Sequence, residues 1–127
     1  LNGVFFTDAN TSKPTFANHL LASNAATDIV ALVNDSPLQQ YEVRSNNTGA
    51  SAQLDVGNTA DIAYTAGSTA NFVSRCTLND STLNANAEQQ IKVIGVSRDP
   101  ENDDLSAANV VWRVLVNQSF FNDLTGV

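Results

Sequence analysis

The residues that could carry out covalent chemistry are few in this sequence. It has a single histidine, His19, and a single cysteine, Cys76. A hydrolase triad needs a nucleophile, a base and an orienting acid, and the nucleophile-elbow pattern Gly-x-Ser-x-Gly is absent. A dyad of Cys76 with His19 stays open as an alternative, but a lone cysteine in an apolar strand is more often a small buried hydrophobic residue. We therefore expect no catalytic residue and no enzyme activity.

Metal and cofactor sites are equally hard to assemble from these residue types. One histidine and one cysteine cannot supply the four nitrogen or sulfur ligands of a structural zinc site. Four acids fall within the six residues Asp99–Asp104, and calcium favours such oxygen clusters. An acidic turn explains this segment better, because Asp, Asn and Pro are also turn formers. Glycine-rich phosphate loops are absent. We expect no metal and no cofactor, with calcium at the acidic segment as the alternative.

The length and charge of the chain limit the number of domains and the kinds of partner that it is expected to have. Its 127 residues predict one domain, residues 1–127. Thirteen acidic groups against six basic ones give a formal charge of −7, which argues against nucleic acid as a partner. No apolar run approaches the ~20 residues of a membrane span, so we expect no membrane partner either. The start at Leu1 inside an apolar run, without any methionine, favours an incomplete N-terminus.

Short apolar runs bounded by turn residues are typical of strands rather than helices. The predicted strands are Val4–Phe6, Asp28–Val33, Gln39–Ser45, Gln90–Ser97 and Asn109–Asn117. The continuous apolar run in the second fits a strand buried on both faces. The last two flank the acidic segment and are predicted to pair as antiparallel strands, with Gly95 marking a bulge or corner.

The fold class that follows is all-β, mainly strands with one or two short helices. Several short strands separated by such turns favour a small antiparallel β-barrel or sandwich. The short helical turns are expected within Ser12–Leu21 or Asn58–Ile62. In the final strand, Val110, Trp112, Val114 and Val116 share one face, and core packing is the expected role of that face.

Seven segments, each a strand or a turn, follow one another along nearly the whole chain. They are Gly3–Ala9, Lys13–Asn18, Thr27–Pro37, Gln40–Val43, Asp55–Asp61, Ile91–Asn102 and Val110–Asn117. In their order and spacing they resemble a family of tailed-bacteriophage virion proteins, which are small structural proteins encoded beside the major capsid protein. Members of that family usually carry further residues ahead of the first segment.

The resemblance implies a head-decoration, or cement, protein that lies on the outer surface of the icosahedral capsid of the virion. It implies no catalytic residue. The charge of −7 agrees with that location, because a protein lining a DNA-filled head would be expected to be basic. The expected partners are the major capsid protein and further copies of this chain, since self-association around a symmetry axis adds avidity.

Exposed apolar ends and arginines are the candidate contacts with capsid or neighbouring subunits. The candidates are Val4, Phe5, Phe6, Arg98, Arg113, Phe120, Phe121 and Leu124. The alternative for both apolar ends is that they close the core of the same subunit. The alternative for the arginines is a cross-strand pair within the sheet.

Two other functions stay open from the sequence. The same β-rich composition would suit another virion component, such as a head fibre base, a head-tail part or a host-surface binding module. It would also suit a bacterial carbohydrate-binding or adhesin module, in which Trp112, Tyr41 or Tyr64 would contact the glycan. Copy number on the particle separates another virion component from a cement protein. Glycan binding would indicate the carbohydrate-binding or adhesin module.

Overall fold

The computed structural model describes residues 2–20, 23–48, 51–119 and 122–123. These residues fall into two compact units, and each is described by itself. Unit 1 is the described part of Leu1–Asp35 together with Thr69–Phe72. Unit 2 is the described part of Ser36–Ser68 and Val73–Val127. The expectation of one domain over residues 1–127 stays a prediction.

Unit 1 contains a three-stranded antiparallel sheet in the order β2-β1-β3. Its strands are β1 (Gly3–Thr7), β2 (Pro14–Ala17) and β3 (Val30–Leu32). The aromatic and β-branched residues of β1 favour the extended backbone. Pro14 begins the edge strand β2, a position where its missing N–H is tolerated.

The turn between β1 and β2 is held by the side chain of Asp8. Its Oδ1 accepts the backbone N–H of Asn10 at 2.7 Å and that of Thr11 at 3.1 Å. An aspartate whose side chain accepts hydrogen bonds from the backbone N–H groups of the residues that follow it is a common turn former. The turn aligns the two strands so that Phe5 lies opposite Phe16.

Unit 2 contains the remaining strands and three short 3-10 turns. The strands are β4 (Gln40–Arg44), β5 (Thr59–Ala60), β6 (Ile62–Ala63), β7 (Thr77–Leu78), β8 (Ile91–Val96), β9 (Val111–Val116), β10 (Gln118–Ser119) and β11 (Asn122–Asp123). The 3-10 turns are Gln53–Asp55, Asp80–Thr82 and Pro100–Asn102.

The main sheet of unit 2 has the order β4-β9-β8-β5, and all its pairs are antiparallel. The predicted pairing of β8 with β9 is confirmed, and the register shifts between Val93 and Gly95, as a bulge at Gly95 requires. Two smaller antiparallel pairs, β6-β7 and β10-β11, complete the described strands.

The core of unit 2 forms around Trp112, which is fully buried. The alternation in β9 puts Val114 on the same buried face, and Val93 of β8 lies opposite Val114 in the register. Because successive side chains of a strand point to opposite faces, this apolar alternation gives the sheet one dry side. The cluster consists of Ala60, Leu78, Ile91, Val93, Val110, Trp112 and Val114.

Two asparagines secure the ends of the β8-β9 pair. Asn102 donates from Nδ2 to the carbonyl oxygen of Val111 at 2.9 Å, and its Oδ1 accepts the N–H of Val111 at 2.8 Å. At the other end, buried Asn117 donates to the carbonyl oxygens of Ala87 at 2.8 Å and Gln89 at 2.9 Å. Asn102 thereby supplies an acceptor for the Val111 N–H and shares the Val111 carbonyl oxygen with the N–H of Ser97, while Asn117 pairs two carbonyl oxygens that precede β8.

The predicted all-β class is confirmed, and the described strands form open sheets rather than a closed barrel. The predicted positions of the helical turns were wrong. The described part of 12–21 holds β2, and 58–62 holds β5, while the 3-10 turns lie elsewhere. The reason is that both segments pair with neighbouring strands, which outweighs their local preference. Within the described part of the chain, no helix is long and apolar enough to cross a membrane.

We expect Asn102→Ala to lower the free energy of unfolding by about 1 to 3 kcal/mol, because it leaves the backbone of Val111 without its side-chain partners. Urea denaturation measures the change. Asn84→Ala is the matched control, since that side chain is exposed, and it should change stability by less than about 0.5 kcal/mol. Equal effects of the two substitutions would contradict the role given to Asn102.

Candidate functional site

One face of the sheet in unit 1 is apolar and exposed. We call it the apolar face, and it consists of Phe5, Phe16, Val30 and Leu32. In the register, Phe5 lies opposite both Phe16 and Val30, and Gly3 lies opposite Leu32. The four side chains keep 50%, 54%, 56% and 41% of their surface exposed, in that order. Three strands that are separate in sequence therefore contribute to one surface.

Aromatic packing organises the centre of the apolar face. The rings of Phe5 and Phe16 are tilted by 42° with their centroids 4.7 Å apart, an arrangement that aromatic pairs favour. The ring of Phe16 also covers Gly3, because a Cβ placed at Gly3 would lie 2.2 Å from Cζ of that ring. Glycine at position 3 is thus what lets Phe16 lie flat on the sheet.

The apolar face is as large as the main apolar patch of an ordinary monomer. Four side chains of this kind, each about half exposed, present roughly 300 to 400 Å² of apolar surface, which matches the largest patch on a typical soluble monomer. Single exposed apolar residues need no explanation, whereas the largest contiguous patch on a protein is often a functional surface, which makes this face the candidate site.

A hydrogen-bonded pair borders the apolar face and fixes β3 to β1. The backbone N–H of Thr7 donates to Asp28 Oδ1 at 2.9 Å, and the Thr7 hydroxyl donates to Asp28 Oδ2 at 2.6 Å. These two bonds hold the pKa of the Asp28 carboxyl below its ordinary value of 3.8, and the hydroxyl has the larger effect. Both bonds favour the ionised form, as donors to a carboxylate do.

The burial expected for the run Asp28–Val33 was wrong. The strand is shorter, Val30–Leu32, and all three of its residues are exposed, as are Ile29 and Val33. A continuous apolar run fits a strand buried on both faces, but β3 lies at the edge of its sheet. With a neighbouring strand on one side only, the side chains of an edge strand have fewer neighbours on either face of the sheet, and here they stay accessible to solvent.

The candidate contacts at the N-terminal end separate into two kinds. Val4 and Phe6 are buried, whereas Phe5 belongs to the apolar face. Sequence reasoning did not identify Phe16, Val30 and Leu32 as contacts, because their meeting with Phe5 depends on strand register. The sequence signal that was available for Phe16 is its place between the smaller residues Thr15 and Ala17, since neighbouring residues of a strand point to opposite faces.

The two candidate arginines have different surroundings. Arg113 donates from Nε to the carbonyl oxygen of Val96 at 3.1 Å, and its guanidinium lies over Gly95. Its cross-strand neighbour is Glu42, whose Oε1 accepts a hydrogen bond from Ser97 at 2.8 Å. Arg113 is therefore engaged within the sheet of unit 2, while Arg98 is exposed. The C-terminal candidates Phe120, Phe121 and Leu124 lie outside the described residues.

The residues that were considered as possible catalytic or metal-binding groups make local contacts within their own units. His19 stacks on Phe72 with the ring centroids 3.5 Å apart, and its Nδ1 lies 2.6 Å from Asn18 Oδ1. In the acidic segment, Asp99 accepts from the N–H of Glu101 at 3.0 Å. Among the described residues, no group of three or more His, Cys, Asp or Glu could hold a metal ion. Cys76 is half-buried beside β7.

Comparison of the chain with models of known protein families, with curated proteins and with solved structures finds no match. The resemblance to phage virion proteins therefore rests on the seven segments alone. The apolar face is the feature from which a function can be argued physically.

Phe16→Ser should remove exposed apolar surface at little cost, while Phe6→Ser should destabilise unit 1. We expect a loss of about 1 kcal/mol for the first, chiefly its contact with Phe5, and about 3 to 4 kcal/mol for the buried Phe6. Urea denaturation gives both values. Binding of a hydrophobic dye should fall in Phe16→Ser, and unchanged dye binding would argue against an accessible apolar face.

The lowered pKa of Asp28 predicts a pH dependence for unit 1. A carboxyl whose pKa is lower in the folded state contributes stability above its ordinary value of 3.8, and that contribution is lost as the pH falls through the folded value. Carboxyl NMR titration should therefore place Asp28 below 3.8, and Thr7→Val should raise its pKa towards that value. Asp104, whose pKa is lowered by Ser106, is the control and should respond to Ser106→Ala instead. An unchanged Asp28 titration in Thr7→Val would contradict the assignment.

Proposed function

We propose that this chain is a decoration protein of a tailed-phage capsid, attached to the outer surface of the shell through the apolar face of unit 1. The exposed surface of Phe5, Phe16, Val30 and Leu32 carries the proposal. The occupant of that face is the major capsid protein, to which the resemblance of the seven segments points. The role is structural and needs no catalytic residue.

The chemistry of the apolar face suits permanent attachment. Its side chains are uncharged, and the adjoining carboxylate of Asp28 already accepts two hydrogen bonds from Thr7. Attachment is then driven by burying apolar surface rather than by charge attraction, so it should weaken little as salt is added. A protein that binds the assembled lattice better than free subunits stabilises the shell by mass action.

The net charge supports the outer surface as the location. At −7 the chain would be repelled by the packaged DNA inside a head. On the outside no such penalty applies. Copies of the chain around a symmetry axis of the shell would add to the strength of attachment.

The carbohydrate-binding alternative named three aromatic residues, and one of them is unavailable for contact with a glycan. Trp112 is fully buried, so its ring cannot stack on a sugar. Tyr41 and Tyr64 are exposed, so this alternative would rest on those two residues. Another virion component, such as a host-surface binding module, would use the same apolar face in far fewer copies per particle.

The test uses purified particles of the phage that encodes the chain. Gel densitometry against the major capsid protein should give hundreds of copies per particle, and particles lacking the chain should rupture at a lower temperature. Adding back the wild-type chain should restore the rupture temperature. The double variant Phe5→Ser/Phe16→Ser should bind at least about tenfold more weakly, because it gives up two aromatic anchors.

The matched control replaces two exposed residues of unit 2. Leu54→Ser/Tyr64→Ser removes similar apolar surface elsewhere and should restore the rupture temperature as wild type does. A handful of copies per particle would favour the other virion roles. Equal rupture temperatures with and without the chain would overturn the cement function.

A further inference from the structure

A cavity of about 340 Å³ opens in unit 2 where β4 ends beside β7. Five residues line it, namely Arg44, Ser74, Arg75, Cys76 and Thr77. A parallel bridge between Ser45 and Leu78 brings the two segments together. Arg44, the last residue of β4, is thereby placed beside the segment 74–77.

The cavity concentrates positive charge in an acidic protein. Arg44 and Arg75 are two of the six basic residues of the chain, whose net charge is −7. None of the five lining residues is acidic. Two guanidinium groups that line one cavity repel each other, and an anion between them would relieve that repulsion. The local charge is therefore opposite in sign to that of the whole molecule.

The residues that line the cavity carry donor groups of the kind that bind oxyanions. Each guanidinium presents five N–H donors in a planar fork, which pairs with a carboxylate or phosphate through two parallel hydrogen bonds. Ser74 and Thr77 also line the cavity, and each carries a hydroxyl group that is able to donate. The volume lies at the small end of the range for ligand pockets, which suits a compact anionic group.

We propose that this cavity is an oxyanion-binding site in which Arg44 and Arg75 hold a carboxylate or a phosphate group. The site is separate from the apolar face and does not depend on the capsid role. A carboxylate would come from an acidic side chain of a partner, and a phosphate would come from a free or linked phosphate. Both share the same recognition by paired guanidiniums.

Cys76 provides a reporter inside the cavity. It is the only cysteine of the chain. The Ser74 side chain, followed by the backbone of Thr65, lowers the pKa of its thiol below the ordinary value of 9.0. A larger thiolate fraction near neutral pH makes the residue easier to alkylate.

The first experiment measures binding directly on the free protein. Amide NMR spectra are recorded during titrations with sodium phosphate and, separately, with sodium acetate, at an ionic strength held constant with sodium chloride. Saturable shifts of residues 44 and 74–77 support the site, and the stronger of the two titrants identifies the source of the oxyanion. Shifts that do not saturate, or that chloride reproduces, would overturn it.

Variants separate this site from general charge effects. Arg44→Gln and Arg75→Gln should each weaken binding about tenfold, as loss of a charge-assisted bidentate pair predicts. Arg44→Lys keeps the charge but loses the planar fork, so its affinity for the oxyanion should lie between those of the wild type and Arg44→Gln. Lys13→Gln removes the same charge from an exposed position in unit 1 and should leave binding unchanged. Equal weakening in Lys13→Gln would refute a specific site.

The second experiment compares alkylation of Cys76 by iodoacetate and iodoacetamide. In both reactions the thiolate sulfur bonds to carbon and iodide leaves, so the reagents differ mainly in charge. The rate ratio of iodoacetate to iodoacetamide should be about tenfold higher in the folded protein than in urea, and Arg44→Gln should reduce it. A ratio unaffected by folding or by Arg44→Gln would overturn the proposal, and well-dispersed NMR spectra confirm that the variant is folded.

Discussion

The pairing of β8 with β9 is the interaction on which the described structure of unit 2 depends. It buries Trp112 and Val93 on one side of the sheet and gives β4 and β5 an edge on which to add. Two asparagines, Asn102 and Asn117, satisfy the backbone where the pair ends. These amides pair with backbone groups where β8 and β9 end, as buried backbone polar groups require.

Unit 1 is also built from antiparallel strands, but its sheet has one buried face and one exposed apolar face. Its three strands can bury only one face, and Val4 and Phe6 occupy that face. The opposite face would be polar in a free-standing antiparallel sheet. Here it carries Phe5 and Phe16 instead, with Gly3 making room for the second ring. A sheet that is apolar on both faces is stable in water only at the cost of exposed aromatic surface, and a binding partner removes that cost.

Apolar runs and local alternation were enough to predict β1, β3, β4, β8 and β9, but not the shorter strands and not how the strands combine. In β9 the pattern around Trp112 predicts the buried face correctly, because an antiparallel strand with one dry side shows period two. In Asp28–Val33 the pattern is uniform, and a uniform run does not distinguish a central strand from an exposed edge. The apolar face and the Arg44–Arg75 cavity both join residues distant in sequence, and their partners are set by register, which single-sequence patterns do not encode.

The energetics of the apolar face bear on the proposed attachment to a capsid. At about 25 cal/mol per Å², burying its roughly 300 to 400 Å² together with a similar partner area contributes on the order of 15 to 20 kcal/mol. Loss of rigid-body freedom costs about 4 to 15 kcal/mol, and ordering of side chains adds to that. The difference between the two amounts runs from about 0 to 16 kcal/mol before the ordering of side chains is subtracted, so the area of the face does not by itself ensure firm attachment of a single copy. Contacts between neighbouring copies, or a second contact on each copy, would strengthen the attachment, because linked contacts make later binding steps intramolecular.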